Sequence, residues 1–276
     1  HARRRMCNKN NTRRNKGLGV GLLFLVGLGL CEGDISVRAI EIAKKADKLF
    51  LDPYTNRISS NYINYLEKIV GKNIAKLSRP DLEENAKATV EYAKNATVVI
   101  FVMGDPLIAT THHTIIDIAH KMGIAVKVIH APSIFTAAIG ESGLDIYRFG
   151  PTTTIPFWSN KYKPISFIDV ISKNLQNNQH TLVLLDYNYK EDRAMSLGEA
   201  IDLLSKAQEE RKINIIQNIL VLADVGKENE EIVYADINAL SKISERFKGK
   251  LISLIIPSNP NFAEAESISK YAISSI

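Results

Sequence analysis

The chain has only two cysteines, Cys7 and Cys31, among its 276 residues. That excludes a disulfide framework and a paired-thiolate metal site, both of which need several cysteines at set spacings. It suits a reducing compartment, and a cytoplasmic location is expected. A membrane-length apolar run is also missing: GLGVGLLFLVGLGLC (17–31) is too short to span a bilayer. Five of its fifteen residues are glycine, which weakens the helical core of a secretion leader. No small-x-small cleavage site follows, and Leu30 stands where a lipoprotein box needs a small residue before Cys31. The leader gives way to a buried strand, Leu22 to Val26, closed by a glycine turn. P-loop, nucleophile-elbow and HExxH motifs are absent too.

Acidic residues are missing from one end. Residues 1–21 hold Arg3, Arg4, Arg5, Lys9, Arg13, Arg14 and Lys16 and no carboxylate. The chain carries a net charge of +5, but without those seven cations 28 basic residues face 30 acidic ones. The positive charge therefore belongs to a polar segment, expected to be a disordered tail or an added remnant. No direct nucleic-acid partner is expected, although a tail that touches RNA by charge alone is the non-enzyme alternative.

What is present is the composition of a soluble globular protein, 45% hydrophobic and 24% charged, enough to bury a sizeable core. Apolar runs alternate with helical spacing. Helix 34–47 starts at Asp34 or Ser36. Strand KLFLD (48–52) is stopped by Pro53. A capping box at Ser78–Asp81 opens one helix, DLEENAKATVEYAKN (81–95). TVVIFVMGDP (97–106) is the strongest strand, followed by a helix from Thr111 to Met122 and strand IAVKVI (124–129). This alternation predicts a mostly parallel sheet with helices on both faces. After HAPSI (130–134) come a short helix, an extended GLDIYRFGPTTTIPFW (143–158), helices near 165–176 and 196–210, and strands at 181–187, 218–225, 231–236 and 250–257. The second half is expected to be α/β with a mixed sheet. The domains are placed at 22–131 and 132–276.

Two strand-ending turns attract attention. Gly27, Gly29 and Gly33 spell GxGxxxG, one residue off the dinucleotide pattern, with Asp52 at the end of the second strand. That keeps an NAD-dependent oxidoreductase open as an alternative. Gly104-Asp105-Pro106 ends a buried strand, at the edge where open α/β sheets bind ligands. Asp105 either contacts a ligand or caps the turn. His113, Asp117 and His120 share one helix face. With no fourth ligand this is a solvated polar face, and no metal is expected. His130 and His180 lie at strand edges with no obvious partner.

Taken in order, LLFLVGLGL, FVMGDPLIATTHH, VKVIHAPSI, YRFGPTTTIPFW and HTLVLLDYNYKE resemble the diphthine synthases, S-adenosylmethionine enzymes of the tetrapyrrole-methylase-like class. The resemblance runs from Leu22 to about Glu266. It implies two α/β domains with the cofactor between them, usually in a homodimer. It also implies methylation of the aminocarboxypropyl-histidine intermediate on translation elongation factor 2, giving diphthine or its methyl ester. Carried over motif by motif, the cofactor contacts fall on Leu30, Asp105, Ile108, Ser133, Ile134 and Leu185, with Val225 and Ile252 less firmly aligned. Ile108 replaces a glycine that the family often has, and Ile252 stands where it often has histidine. The rim 148–163 is the candidate contact for the acceptor protein, with Trp158 as an anchor and Arg148, Lys161 and Lys163 meeting its carboxylate or acidic surface; the alternative has Trp158 in the core and the three cations as solubilising surface. A tetrapyrrole methyltransferase is the nearest alternative. The resemblance names no general base.

Overall fold

The computed structural model describes residues 21–54 and 56–273. The expected basic tail lies outside the described residues, apart from its last residue, Gly21.

The first sheet has strands β1 (Leu22–Gly27), β2 (Lys48–Asp52), β3 (Ala75–Lys76), β4 (Thr97–Val102) and β5 (Ala125–Ile129). All pairings are parallel, in the order β3-β2-β4-β1-β5. The central strands β1 and β4 are apolar on both faces, as strands covered on both sides must be. The side-chain period of two divides them cleanly. Phe24, Val26, Val99 and Phe101 pack in one core cluster, while Leu23, Leu25, Val98 and Ile100 pack in another. Strand β5, with alternating exposure, forms an edge.

The second sheet joins β6 (Thr153–Ile155), β7 (Thr181–Leu185), β10 (Asn218–Ala223), β11 (Glu231–Asp236) and β12 (Ile252–Ile256) in the order β11-β10-β12-β7-β6. Only β6 and β7 run parallel; the other pairs are antiparallel. A small hairpin, β8 (Tyr187–Asn188) with β9 (Arg193–Ala194), follows β7 directly. The expected architecture, a parallel first sheet and a mixed second one, is the one found. The segment 130–133 leads from β5 into the helix Ile134–Ser142, which packs on the second sheet. Among the described residues no helix is long and apolar enough to cross a membrane.

Some elements differ from expectation. The helix expected at 81–95 starts earlier and breaks. Arg79–Leu82 ends at Glu83, Ala86–Glu91 follows, and a 3₁₀ turn closes it at Tyr92–Lys94. At the break Asn85 N–H reaches Pro80 O, and the Thr89 hydroxyl takes up the Asp81 carbonyl at 2.7 Å. The stretch 143–158 is not uniformly extended, because a 3₁₀ turn occupies Ile146–Arg148. Strand β3 and the helix Ser60–Val70 lie between 53 and 78, where no element was expected. At the first helix the choice resolves to Ser36, whose hydroxyl oxygen accepts the Ala39 N–H at 3.1 Å.

Candidate functional site

The carboxyl end of β1 meets that of β4 through glycine backbone. Gly29 N–H donates to Gly104 O at 3.3 Å, and Gly104 N–H returns a 2.8 Å bond to Gly29 O. Gly29 has φ +76°, and a Cβ there would lie 2.1 Å from Asp34 Cβ. Asp34 cannot retreat, because its Oδ2 accepts the N–H groups of Leu30 (2.8 Å) and Cys31 (3.1 Å). Gly29→Ala is therefore expected to cost about 2–3 kcal/mol, from left-handed strain plus overpacking. Chemical denaturation checks this, and an unchanged midpoint would refute it.

The same geometry argues against a dinucleotide site. The Leu30 and Cys31 N–H groups face a carboxylate of the chain itself, whereas a pyrophosphate site needs such groups for its anion. Strand β4 stands between β1 and β2, so Asp52 is in register with Val102 and not beside the glycine turn. Asp52 is buried, accepts the Tyr54 N–H at 2.7 Å, and lies 3.1 Å from His112 Nε2.

Asp105 is only 5% exposed. It caps its own turn by accepting the Leu107 N–H at 2.9 Å. Its other oxygen reaches His130 Nδ1 at 2.7 Å and the Ala131 N–H at 3.3 Å. His130 thus has a partner, contrary to the sequence-based expectation. Strand β1 lies between β4 and β5, so Asp105 must bridge over its end. Gly27 permits this: a Cβ there would come within 2.7 Å of Gly104 O and 2.6 Å of Ala131 Cβ.

His180 is also partnered. It is fully buried, accepts the Ser258 N–H on Nδ1 at 3.0 Å, and faces Glu264 Oε1 through Nε2 at 3.1 Å. Nδ1 accepts, so Nε2 carries the proton. Burial pushes the His180 pKa down despite that carboxylate.

Between the two sheets runs a cleft of about 410 Å³. Its lining brings together all eight residues assigned to the cofactor: Leu30, Asp105, Ile108, Ser133, Ile134, Leu185, Val225 and Ile252. They come from the carboxyl ends of β1, β4, β7 and β10, from the first residue of β12, and from the start of the helix after β5. Ser133 caps that helix by accepting the Phe135 N–H at 3.2 Å. The turn after β10 closes on the glycine loop, where a Cβ on Gly226 would lie 3.4 Å from Leu30 Cβ.

Sequence reasoning missed other lining residues, among them Asp186, Asp224 and Lys227. The rule that drew attention to Asp105, an acid at the carboxyl end of an apolar strand, would have found the first two. Asp224 sits at φ +50°. Burial alone would raise its pKa, but the Lys227 ammonium at 2.6 Å and the Leu251 N–H hold it low.

The four residues assigned to the acceptor rim do not line the cleft. Arg148 pairs with buried Glu264 and donates to Asn259 O at 2.8 Å. Trp158 packs half-buried on the second-sheet core, its indole N–H on Pro164 O at 3.1 Å. Lys161 and Lys163 are exposed. His113, Asp117 and His120 are exposed as well, and no metal-binding group of three side chains forms among the described residues.

Residues 22–241 match the family model of the tetrapyrrole (corrin/porphyrin) methylases. The chain is 36% identical over 259 residues to a diphthine synthase of Methanococcus maripaludis, covering 92% of this chain and all of that one. It is likewise 36% identical over 261 residues to a diphthine synthase of Methanocaldococcus jannaschii, with the same coverage. A crystal structure of a diphthine synthase superposes with a TM-score of 0.81 at 33% identity, covering 91% of this chain and 96% of that one.

Proposed function

Because the chain belongs to the tetrapyrrole methylase family, and within it to the diphthine synthases, we propose that its cleft transfers methyl groups from S-adenosylmethionine to a histidine-borne acceptor on translation elongation factor 2. One observation carries this reading: residues scattered from 30 to 252 converge on a single cleft between two sheets.

The lining fits such a cofactor. A volume of about 410 Å³ lies within the range of small-molecule pockets. Leu30, Ile134, Leu185, Val225 and Ile252 offer apolar walls for a ring system. The buried carboxylate of Asp105 favours a cationic ligand, whereas that of Asp224 is already paired with Lys227. Bound there, S-adenosylmethionine supplies an electrophilic methyl group.

The residues themselves bind, align and exclude water. Methyl transfer is an in-line displacement, and alignment supplies most of its acceleration. The first acceptor amine, with a pKa of about 8 by analogy with an α-amino group, is largely protonated at neutral pH. Carboxylates near the cleft hold it close, and partial desolvation in the cleft favours the neutral nucleophile.

The enzyme is proposed to work in the cytoplasm as a homodimer. A dimer would cover apolar side chains that are now exposed around the Arg148–Glu264 pair, namely Ile146, Tyr147 and Phe262. The near-complete coverage of diphthine synthases favours a protein acceptor over a tetrapyrrole.

The test is mass spectrometry of elongation factor 2 carrying the aminocarboxypropyl intermediate, after incubation with this protein and S-adenosylmethionine. Stepwise methyl increments that depend on the cofactor are expected. No increment under any condition would refute the reading.

A further inference from the structure

The eight assigned residues account for only part of the cleft. In the first sheet they follow β4, β1 and β5. The cleft continues past β4 along the ends of β2 and β3, where Tyr54, Asn56, Arg79 and Glu83 line it. Five strands spaced at about 4.8 Å put roughly 19 Å between the β3 and β5 edges. The second sheet shows the same division. Val225 closes one end near Leu30, while the β8–β9 hairpin covers the other and contributes Tyr187. At that far end Tyr54 and Tyr189 have ring centroids 3.7 Å apart, and Arg57 pairs with Asp192 at 3.3 Å.

The far end is polar and aromatic. Arg79 Nε donates to Glu83 Oε2 at 2.9 Å, one helical turn apart, and both side chains are substantially exposed. The rings of Tyr54 and Tyr189 meet at a tilt of 50°. Tyr187 donates its hydroxyl to Asp192 Oδ1 at 2.8 Å, which sets the orientation of its ring.

We propose that this end of the cleft is the acceptor subsite, in which Arg79 and Glu83 bind the carboxylate and the amino group of an amino-acid-type head, and Tyr54 and Tyr187 face its methylated nitrogen. The proposal rests on the methyltransferase reading above.

An aminocarboxypropyl group carries a carboxylate and an ammonium on one carbon, the complement of a side-by-side guanidinium and carboxylate. A guanidinium has five N–H donors, and the bond to Glu83 uses one, which leaves capacity for a forked carboxylate contact. Each transfer would form an N–CH3 bond as the S–CH3 bond of the cofactor breaks, with the electron pair leaving on the neutral thioether of S-adenosylhomocysteine and one proton passing from the acceptor nitrogen to solvent. A fully methylated nitrogen keeps its charge and has nothing to donate to Glu83. Aromatic faces suit such a quaternary ammonium, so the subsite holds the acceptor through successive transfers.

The test compares the wild-type protein with Arg79→Gln, Glu83→Gln and Tyr187→Leu. Cofactor affinity is read by calorimetry, and initial rates are read against the concentration of modified elongation factor 2. Both charge variants should raise the acceptor KM about tenfold or more, with S-adenosylmethionine affinity within about twofold of wild type and no loss of melting temperature, since the pair is exposed. Arg79→Lys should rescue only part of the loss, because lysine lacks the fork. Tyr187→Leu should shift the products toward incompletely methylated species. An active wild type with an unchanged acceptor KM in both charge variants would overturn the subsite alone. A wild type that transfers no methyl group would overturn the functional reading, and the subsite with it.

Discussion

Replacing Asp105 by asparagine should weaken S-adenosylmethionine binding by about two orders of magnitude. The carboxylate joins two segments of the cleft wall: its own turn through Leu107, and the segment after β5 through His130 and Ala131. An amide nitrogen at either oxygen position cannot accept these bonds, and it sets a donor against a donor. Losing charge-assisted bonds in a buried site costs about 3 kcal/mol, which corresponds to roughly a hundredfold in affinity. The loss should be read by calorimetry beside a denaturation curve. Unchanged affinity in a folded variant would remove Asp105 from the site. Asp105→Ala should weaken binding in the same direction.

The second large effect lies away from the cleft. Glu264 is 3% exposed and paired with Arg148 and His180. Burial by itself would raise its pKa, but the backbone N–H groups of Asn261 and Asp145 and the His180 contact overcome this and bring it down to about 2. The folded value is thus below the unfolded value of 4.5. Stabilisation from this carboxylate is complete above that unfolded value and disappears as the pH falls toward the folded one. The shift corresponds to about 3 kcal/mol.

Glu264→Gln also leaves Arg148 without its counter-charge, so a loss of about 3–5 kcal/mol is expected near neutral pH. That should lower the melting temperature by roughly 10 °C. The gap between wild type and variant should narrow as the pH drops from 4.5 toward 2. A gap that stays constant across that window would contradict the ionic account. The Arg148 guanidinium is already committed here, which explains why a cation assigned to an acceptor rim from sequence holds the C-terminal helix instead.

The apolar runs at 22–26 and 97–102 announced central parallel strands, because a strand covered on both faces needs no polar alternation. Turn chemistry pointed to 104–106. The helix Ser60–Val70 was equally legible in principle, with Ser59 as cap, Tyr62, Ile63, Leu66 and Val70 buried at helical spacing, and Gly71 in the left-handed region. The helix at 81–95 misled because its spacing is helical throughout. The break depends on Thr89 taking a carbonyl eight residues back.

The partnerships of polar groups belonged to the tertiary structure. Asp105 and His130 are 25 residues apart, His180 and Glu264 are 84 apart, and Arg148 and Glu264 are 116 apart. Strand order decides which of these meet, and strand order is a global outcome of packing both sheets. By itself the sequence determined the strands, the turns and which residues share a motif, since periodicity and capping act within a few residues. Only the folded chain decided that the end of β1 would be bare glycine between β4 and β5. Because of that gap, a carboxylate from the turn after β4 could reach over the end of β1 to the segment after β5.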